Sequence, residues 1–382
     1  MGSHGILGPF AAPQTSPNYL RIAEELKKAI LDNVLAPGSR IDSHQALSER
    51  FGVSRVTIRQ ALTLLQKQGY VNLIPKKGSF VSHNAVRLSR VRFHLVALLI
   101  ESIQDPFFNE VTQCLERALL RKNLHIVLCD TAGESRETNY IELLRDRVDG
   151  FIIGPSLHEK SWAQYRNLSS LGIPVVLFDR DIRNIIGDRV LVDNYLGGRI
   201  AAEHLLELGH TRFATLTYTW PRRALLTPAE NLVLRVRGFC DRLLEAGILP
   251  ADISSLNGEG GRTKAAGAEA ARQWLALDPL PTALFATNDL LCLGAMEVAA
   301  QSGLSAPKDY SIVGFDDINL VGWLNIPLTT VAQPKEELAN QITRLLTDQL
   351  DGRQRGHSQH VLLHPTLMVR RSTGAPPAPE LT

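Results

Sequence analysis

Apolar side chains in the first part of the chain form helical patterns followed by short extended ones. They recur every three or four positions over residues 19–31, which predicts an amphipathic helix. Two shorter helical patterns follow within residues 47–65, and Gly52 stands between them, where a tight turn needs a residue that tolerates positive φ. Apolar runs at 69–71 and 80–81 then flank a Pro-Lys-Lys-Gly turn. This order of three helices and a hairpin predicts a winged helix-turn-helix over residues 18–83.

The remainder of the chain alternates between near-continuous apolar runs and helical patterns. The apolar runs cover residues 91–100, 125–129, 150–153, 174–178, 190–192, 212–216, 283–286 and 311–315. The helical patterns cover residues 108–122, 139–147, 196–208, 234–246, 263–275, 290–300 and 335–350. Such an alternation predicts an α/β fold whose parallel sheets are covered by helices on both faces. Residues 84–90 have no apolar period and are expected to form a linker.

Length and charge support a division into a head and a body. The chain has 382 residues, more than one typical domain. Residues 1–84 contain ten Lys and Arg against five Asp and Glu, whereas the rest contains 31 against 34. A head with a net charge of +5 on a body of −3 indicates that the head alone contacts a polyanion such as DNA.

The second helix of the predicted turn motif has side chains suited to a DNA major groove. Ser54 is placed to cap it, and Arg55, Thr57 and Arg59 fall on its outer side. Arg can bind guanine through two hydrogen bonds, and Thr can contact phosphate or a thymine methyl group. Lys76 and Lys77 at the hairpin tip would bind phosphate. Taken alone, the motif also fits an ordinary solvent-exposed helical hairpin.

The head resembles the GntR family of bacterial transcription factors over residues 18–83. The resemblance rests on Pro-Gly-Ser-Arg-Ile (37–41), Leu-Ser-Glu-Arg-Phe-Gly-Val-Ser-Arg (47–55), Thr-Ile-Arg-Gln-Ala-Leu (57–62), Gly-Tyr (69–70) and Lys-Lys-Gly-Ser-Phe-Val (76–81). The chain departs from the family at residues 42–45, where His44 replaces the usual Glu. The resemblance implies a DNA-binding set of Ser43, His44, Gln45, Ser54, Arg55, Thr57, Arg59, Lys76, Lys77 and Gly78.

Polar side chains in the body follow the ends of several predicted strands. Examples are Asp105 with Phe107 and Phe108, Asp179 with Arg180, and Asp316. Ligands of parallel sheets bind at the carboxyl ends of the strands. Carboxylates, amides and arginines can bond hydroxyl groups while aromatic rings stack on C–H faces, which indicates a site for a polyhydroxylated ligand. For each residue alone, a surface or capping role is an equal alternative, such as helix capping by Asp316.

The body resembles the effector domain of the LacI/GalR family and the related periplasmic sugar-binding proteins over residues 91–373. The matching segments include 105–108, 148–153, 172–180, 192–194, 208–212, 237–239, 286–289, 313–317 and 328–334. The resemblance implies effector contacts at Asp105, Phe107, Phe108, Asp179, Arg180, Arg237, Asn288, Asp316 and Gln333. It also implies a two-lobed, periplasmic-binding-protein-like domain, with lobes of 91–192 plus 334–362 and 193–332 plus 363–373. A GntR head on such a body is similar to the layout of arabinose-responsive repressors, which does not identify the sugar.

Other features of the sequence limit the alternatives. The four cysteines, at 114, 129, 240 and 292, are far apart and are expected to be buried thiols in a reducing cytoplasm. No apolar run approaches the length of a membrane span, and no Lys or Arg precedes Arg21 as a secretory signal would require. We expect no cofactor and no metal. Residues 1–17 and 374–382 are expected to be tails.

These observations predict a cytoplasmic, DNA-binding transcriptional regulator, a homodimer, whose operator affinity depends on a small sugar-like effector. An enzyme with a fused DNA-binding head is the main alternative, but the chain has no phosphate-binding Gly-rich loop and no Gly-x-Ser-x-Gly elbow. A sugar-binding protein without a regulatory role is a second alternative, opposed by the basic head.

Overall fold

The computed structural model describes residues 17–32, 34–75, 77–82, 94–133, 135–156, 159–182, 187–218, 231–353 and 357–378. Lys76, the expected linker at 84–90 and nearly all of the expected N-terminal tail lie outside these residues. Among the described residues, no helix has the length and apolar character needed to cross a membrane. The α/β class with parallel sheets and an N-terminal winged helix is confirmed.

The head is a three-helix unit with a two-stranded wing. Its elements are α1 (Asn18–Leu31), α2 (His44–Phe51), α3 (Arg55–Lys67), β1 (Val71–Ile74) and the antiparallel β2 (Gly78–Val81). Gly52 takes φ +63° in the turn between α2 and α3, as the sequence predicts. The apolar faces of the helices and the wing form a core made entirely of residues from this unit, including Leu26, Leu47, Ile58 and Leu62.

The body contains two six-stranded sheets, and the first is entirely parallel. Its strands are β3 (Leu95–Ile100), β4 (His125–Asp130), β5 (Gly150–Ile153), β6 (Val175–Phe178), β7 (Asp188–Val192) and β13 (His360–Leu363). Their spatial order is β13-β7-β6-β5-β3-β4. The helices of this lobe are α4 (Pro106–Leu120), α5 (Arg136–Leu144), α6 (Glu159–Ser170) and α11 (Lys335–Leu350). We call this unit the first lobe.

The second sheet is parallel except at one edge. Its strands are β8 (Phe213–Tyr218), β9 (Ile253–Gly258), β10 (Ala283–Ala286), β11 (Ser311–Asp316), β12 (Thr329–Ala332) and the antiparallel β14 (Thr366–Met368). Their spatial order is β14-β12-β11-β10-β8-β9. Its helices are α7 (Asn194–Glu207), α8 (Asn231–Glu245), α9 (Lys264–Leu275) and α10 (Asp289–Gln301). We call this unit the second lobe.

The chain passes between the two sheets three times, after β7, after β12 and after β13. Each passage is short, so the carboxyl ends of the strands in both sheets lie near the junction of the lobes. Gly374, within the expected C-terminal tail, packs into the second lobe, because its carbonyl oxygen accepts hydrogen bonds from His210 and Ser311. All four cysteines are free, and three of them are buried.

Candidate DNA interface and effector cleft

Two serines begin the helices of the turn motif in the head. The hydroxyl oxygen of Ser43 accepts the Ala46 N–H at 3.2 Å, and that of Ser54 accepts the Thr57 N–H at 3.2 Å. Each serine therefore satisfies one of the amide donors that a helix N-terminus leaves free. Ser54 also pairs with the Thr57 hydroxyl at 2.9 Å, which fixes that hydroxyl close to the start of α3.

The cations predicted for DNA contact are at the surface of the head. Arg55 and Arg59 are exposed and four residues apart, so they lie on one face of α3. On α2, His44 is half-buried, and the exposed Gln45 donates a hydrogen bond to Glu49 at 3.1 Å. This arrangement presents two guanidinium groups on the outer side of the recognition-type helix.

The wing adds a further cation that the sequence analysis did not select. Lys77 and Gly78 are exposed at the hairpin turn, and Gly78 has φ +118°. A Cβ atom at Gly78 would lie 3.1 Å from the guanidinium of Arg40, and the Arg40 backbone bridges to Phe80. Arg40 therefore lies against the wing, although it precedes α2 in sequence. Its place in the Pro-Gly-Ser-Arg-Ile motif was the available signal.

In the body, the predicted effector residues gather at the carboxyl ends of the strands. Asp105 follows β3 and caps α4, with its carboxylate accepting the Phe107 N–H at 3.0 Å. Asn288 follows β10 and caps α10 in the same way, accepting the Leu291 N–H at 3.0 Å. Asp105 and Asn288 thus both have the helix-capping role that the sequence analysis gave as an alternative. Asp179, Arg180, Asp316 and Gln333 are also buried at strand ends.

Asp316 is the centre of a buried hydrogen-bond network in the second lobe. Its Oδ1 accepts a hydrogen bond from Gln333 Nε2 at 2.7 Å and one from Arg235 Nη1 at 3.3 Å. Arg235 also donates to Asn194 Oδ1 at 2.7 Å and to the Thr287 carbonyl at 2.6 Å. Its guanidinium carbon lies 3.6 Å from the centre of the Phe315 ring. These contacts hold the guanidinium in one orientation beside a carboxylate.

The structure corrects the expectation for Arg237. The Arg237 side chain is 69% exposed and pairs with Asp241 on the surface of α8. Two residues along a helix correspond to about 200° of rotation, so Arg235 and Arg237 lie on opposite faces. The inner face contains Gly238, where a Cβ atom would collide with the Tyr195 carbonyl of α7. Arg235 lies three residues before Gly238 and shares this inner face, a spacing that was visible in the sequence.

Arg180 is the corresponding buried cation of the first lobe. It donates to Glu101 Oε2 at 2.5 Å and to the Pro155 carbonyl at 3.1 Å, and its Nε lies 3.6 Å from Asp179. Glu101 follows β3 directly and was not selected from the sequence. Its position at the end of a buried strand, four residues before Asp105, was the signal that would have found it.

Two side chains of the second lobe reach the first lobe. Asn231 donates from Nδ2 to both the carbonyl and the carboxylate of Asp179, each at 2.9 Å. Arg262 lies 3.5 Å from Glu101 and 3.4 Å from Asp105. Neither residue was selected from the sequence, because a contact between lobes joins positions far apart in the chain.

The two predicted aromatic residues differ in their contacts. Both Phe107 and Phe108 are buried, and their ring centres are 5.5 Å apart. Phe108 packs edge-on against Phe178 and lies 5.2 Å from the guanidinium carbon of Arg262. Phe108 therefore connects the apolar core of the first lobe to the charged groups between the lobes.

The buried charges influence one another strongly. Burial raises the pKa of Asp316, although Arg235 opposes that effect. Burial alone would also raise the pKa of Glu101, but the guanidinium groups of Arg180 and Arg262 hold it below its ordinary value. Burial raises the pKa of Glu137 to about 7, against the opposing effect of its hydrogen bonds with Ser156. Perturbed groups of this kind gather at functional sites.

Backbone strain and an unpaired amide mark the same region. Asp179 and Asp316 have φ values of +67° and +107°, which residues with side chains seldom adopt. The Nδ2 atom of Asn288 is buried and has no hydrogen-bond partner among the described residues. An unpaired buried donor costs about 1–3 kcal/mol, so it indicates a place where a ligand oxygen can bind. No group of three or more His, Cys, Asp or Glu within the described ranges is arranged to hold a metal ion.

Comparison with known proteins gives matches over both parts of the chain. Residues 18–81 match the bacterial regulatory proteins of the gntR family, and residues 202–373 match the periplasmic binding protein-like domain. The arabinose metabolism transcriptional repressor of Geobacillus stearothermophilus is 30% identical over 94% of this chain and 98% of its own. The ribose operon repressor of Escherichia coli is 29% identical over 73% of this chain and 82% of its own.

A solved structure shows the same fold in the body. The LacI-family regulator of Enterococcus faecium, with bound ribose, has a TM-score of 0.64 and 30% identity. The match covers 73% of this chain and 98% of that one.

A winged helix with outward arginines, joined to a two-lobed domain that has buried charged and polar side chains at the junction of its lobes, defines a DNA-binding transcriptional regulator with an effector domain of the sugar-responsive type. The similarity to the arabinose metabolism transcriptional repressor extends over 94% of this chain. The protein belongs to the bacterial regulators that combine a GntR-family DNA-binding domain with a LacI-type, periplasmic-binding-protein-like effector domain.

Proposed function

We propose that the effector is a neutral or weakly charged sugar bound between the two lobes. The observation that carries this proposal is the buried network of Arg235, Asp316 and Gln333, together with the Arg180–Glu101 pair of the first lobe, which Arg262 of the second lobe contacts. Fixed donors and acceptors of this kind match the alternating hydroxyl groups of a sugar. The proposed contacts are Asp105, Phe108, Asp179, Arg180, Arg235, Asn288, Asp316 and Gln333.

The charges around the cleft favour a ligand without a strong charge of its own. Three arginines, at 180, 235 and 262, lie among four carboxylates, at 101, 105, 179 and 316. Each guanidinium already has an acidic partner. A strongly charged ligand would change the net charge of the buried cluster, whereas a neutral polyol can bind without changing that net charge.

The arabinose and ribose repressors among the relatives, and the ribose-bound structure, make pentoses the first class to test. Of the two predicted aromatic residues, Phe108 would supply the apolar wall of the site. The Phe108 ring borders the charged groups, so we assign the stacking role to Phe108 and a core-packing role to Phe107.

For the head, we propose that Arg55 and Arg59 contact base edges while Lys77, Lys76 and Arg40 contact phosphate. Ser43 and Ser54 position the helices through their capping bonds, and Thr57 and Gly78 fix the approach of α3 and the wing. His44 and Gln45, near the start of α2, would contact the DNA backbone. Base contacts specify sequence, while phosphate contacts supply most of the nonspecific affinity.

We further propose that the protein acts as a cytoplasmic homodimeric repressor that binds its effector without converting it. Two heads on a two-fold operator match two-fold symmetry in the protein. Trp323 and Leu320, on the 3-10 turn at Asn319–Trp323, are 88% and 53% exposed and are our candidates for the subunit interface. A sugar that binds one lobe arrangement more tightly shifts the dimer between DNA-binding states.

The proposal is tested with the full-length protein and a panel of arabinose, ribose, xylose and cellobiose. We expect one sugar to raise the melting temperature and to change operator affinity in a gel-shift assay, and to be recovered unchanged after incubation. At about 100 times its dissociation constant, the ligand stabilises the protein by roughly 2.7 kcal/mol. If Asp316→Asn shows neither the rise in melting temperature nor the change in operator affinity, the assignment of the effector site to the cleft is supported. A sugar response that persists in Asp316→Asn would place the site elsewhere.

A further inference from the structure

Arg262 extends from the second lobe across the cleft to the first. It follows β9 and precedes the Thr263 cap of α9. Its Nη2 lies 3.5 Å from Glu101 Oε2, and its Nε lies 3.4 Å from Asp105 Oδ2. Its side chain is 12% exposed. The guanidinium is therefore held between the lobes by two carboxylates of the first lobe.

The same guanidinium covers the aromatic wall of the proposed sugar site. Its carbon lies 5.2 Å from the centre of the Phe108 ring, within the range of a cation–π contact. Carbon atoms in contact are about 3.5–4.0 Å apart, so a sugar ring placed between Phe108 and Arg262 needs a separation of roughly 7–8 Å. A sugar therefore cannot stack on this face of Phe108 while Arg262 remains there.

Arg262 thus occupies two groups that the proposed function assigns to the effector, the Asp105 carboxylate and the Phe108 ring. We propose that Arg262 is a tethered competitor of the effector, which must displace the guanidinium in order to bind; this inference rests on the proposed function of the cleft. Effector affinity is then set by a balance between the sugar and an internal cation.

The segment around Arg262 provides the means for this displacement. Gly260 and Gly261 directly precede it with φ values of +96° and +77°, and a Cβ atom at Gly261 would meet nothing within 4 Å. These glycines give the backbone before Arg262 a conformational freedom that residues with side chains lack, and the long Arg262 side chain can change rotamer while α9 stays in place. Glu101 of the first lobe already pairs with both Arg180 and Arg262. It can therefore remain a partner of the Arg262 guanidinium after that group has left Asp105 and Phe108.

The competition is tested by removing the side chain from the full-length protein. Arg262→Ala should bind the responding sugar of the arabinose, ribose, xylose and cellobiose panel about tenfold more tightly in calorimetry, the gain expected from losing one desolvated cation–π contact and its ion pairs. Arg272→Ala is the matched control, because Arg272 is exposed on α9 of the same lobe. It should bind that sugar as the wild type does. Melting curves without sugar check that each variant is folded.

The outcomes separate this inference from the proposed function. If the wild type binds a sugar that Asp316→Asn does not bind, the cleft assignment stands. Equal or weaker binding by Arg262→Ala would then overturn the competition alone and make Arg262 a bystander or a direct sugar contact. If Arg262→Ala binds a sugar of the panel that the wild type does not bind, the competition is supported. Failure of both proteins to bind any sugar of the panel would overturn both proposals.

Discussion

At the scale of single residues, the two arginines of α8 have opposite environments. Arg235 is buried against Asp316, Asn194 and Phe315, whereas Arg237 lies on the surface. Residues two positions apart on a helix cannot share a face, so only one of them can belong to the cleft. Their different burial makes them a matched pair for mutation.

We expect Arg235→Ala to abolish or strongly weaken sugar binding and Arg237→Ala to leave it unchanged. Removing Arg235 leaves the buried Asp316 carboxylate without its cation, a loss of about 1–3 kcal/mol or more. Calorimetry with the responding sugar measures the effect, and melting curves confirm that both variants are folded. An equal loss of sugar affinity in Arg235→Ala and Arg237→Ala would show that Arg235 does not contact the ligand.

Glu137 is a second residue whose environment predicts a measurable behaviour. It is 2% exposed, its Oε2 accepts the Ser156 N–H at 3.0 Å, and its pKa rises from 4.5 to about 7. The folded protein therefore holds this proton more tightly than the unfolded chain does. The stability that it contributes is present below pH 4.5 and is lost as the pH rises through 7.

Glu137→Gln should remove this part of the pH dependence. The variant keeps an oxygen to accept the Ser156 N–H but has no proton to release, so we expect it to be more stable than the wild type at pH 8, by at most about 3 kcal/mol. The difference should vanish near pH 4.5. Denaturant unfolding at both pH values measures it, and a difference that does not change with pH would contradict the assignment.

At the scale of elements, the contact between α7 and α8 depends on glycine. A Cβ atom at Gly238 would collide with the Tyr195 carbonyl of α7, and one at Gly198 with the Arg235 carbonyl of α8. The two backbones therefore approach more closely than side chains allow. This close approach also brings Asn194 of α7 within 2.7 Å of Arg235 of α8.

Gly238→Ala should destabilise the protein by about 1–3 kcal/mol or more, because backbone atoms cannot move aside as side chains do. Sugar affinity should fall as well, since the helices that hold Arg235 would separate. Gly187→Ala is the control, since a Cβ atom there meets nothing within 4 Å. Melting curves of the two variants measure the loss of stability. If Gly238→Ala melts as the wild type does, α7 and α8 can separate without destabilising the protein.

The recognition-type helix and the wing should contribute differently to DNA binding. Arg59→Ala should cost about 1–3 kcal/mol of operator affinity and relax base preference at one position, because Arg59 is on the outer face of α3. Lys77→Ala should weaken binding to all sequences alike and lower the slope of log affinity against log salt by about one. Fluorescence anisotropy over a salt series distinguishes the two effects. Unchanged affinity in both Arg55→Ala and Arg59→Ala would exclude α3 from the interface.

At the scale of the whole molecule, the head has an apolar core of its own. Within the part of the chain that the structure describes, that core contains residues from Ile22 to Val81 and none from the body. The proposed cleft residues, by contrast, all belong to the two lobes of the body, either at the ends of strands or in the helices α4 and α8. The proposed sugar site is therefore built from residues of the body alone.

Deleting residues 1–84 should leave sugar affinity close to that of the full chain and abolish operator binding. The reason is that each part buries its own apolar surface, so the body retains its fold without the head. Calorimetry and gel-shift assays on the truncated protein measure both properties. A body that is folded by circular dichroism but no longer binds the sugar would mean that the head contributes to the site.

Much of this architecture was determined by local sequence patterns. The helices at 18–31 and 335–350 and the strands at 150–153 and 283–286 agree with their predicted positions to within a residue, because their apolar periods or runs are strong. The positions of Asp105, Asp179, Asn288 and Asp316 were also predictable, since a polar residue that ends a buried strand must lie at the edge of the sheet. Strands β9, β12, β13 and β14 and helix α6 were not among the predicted elements. The β9 segment is largely polar, and β13 and β14 are short edge strands.

Only the tertiary structure decided which of these side chains meet. The partners of Arg262 are about 160 residues away in the chain, as the separation of 161 from Glu101 shows, and no local pattern encodes such a distance. The choice of Arg235 over Arg237 depended on which face of α8 packs against α7 through Gly238. Local sequence fixes periodicity and strand ends because these depend on neighbours in the chain. The pairing of charges across the cleft depends on how two lobes pack, and that is set by contacts distributed over the whole body.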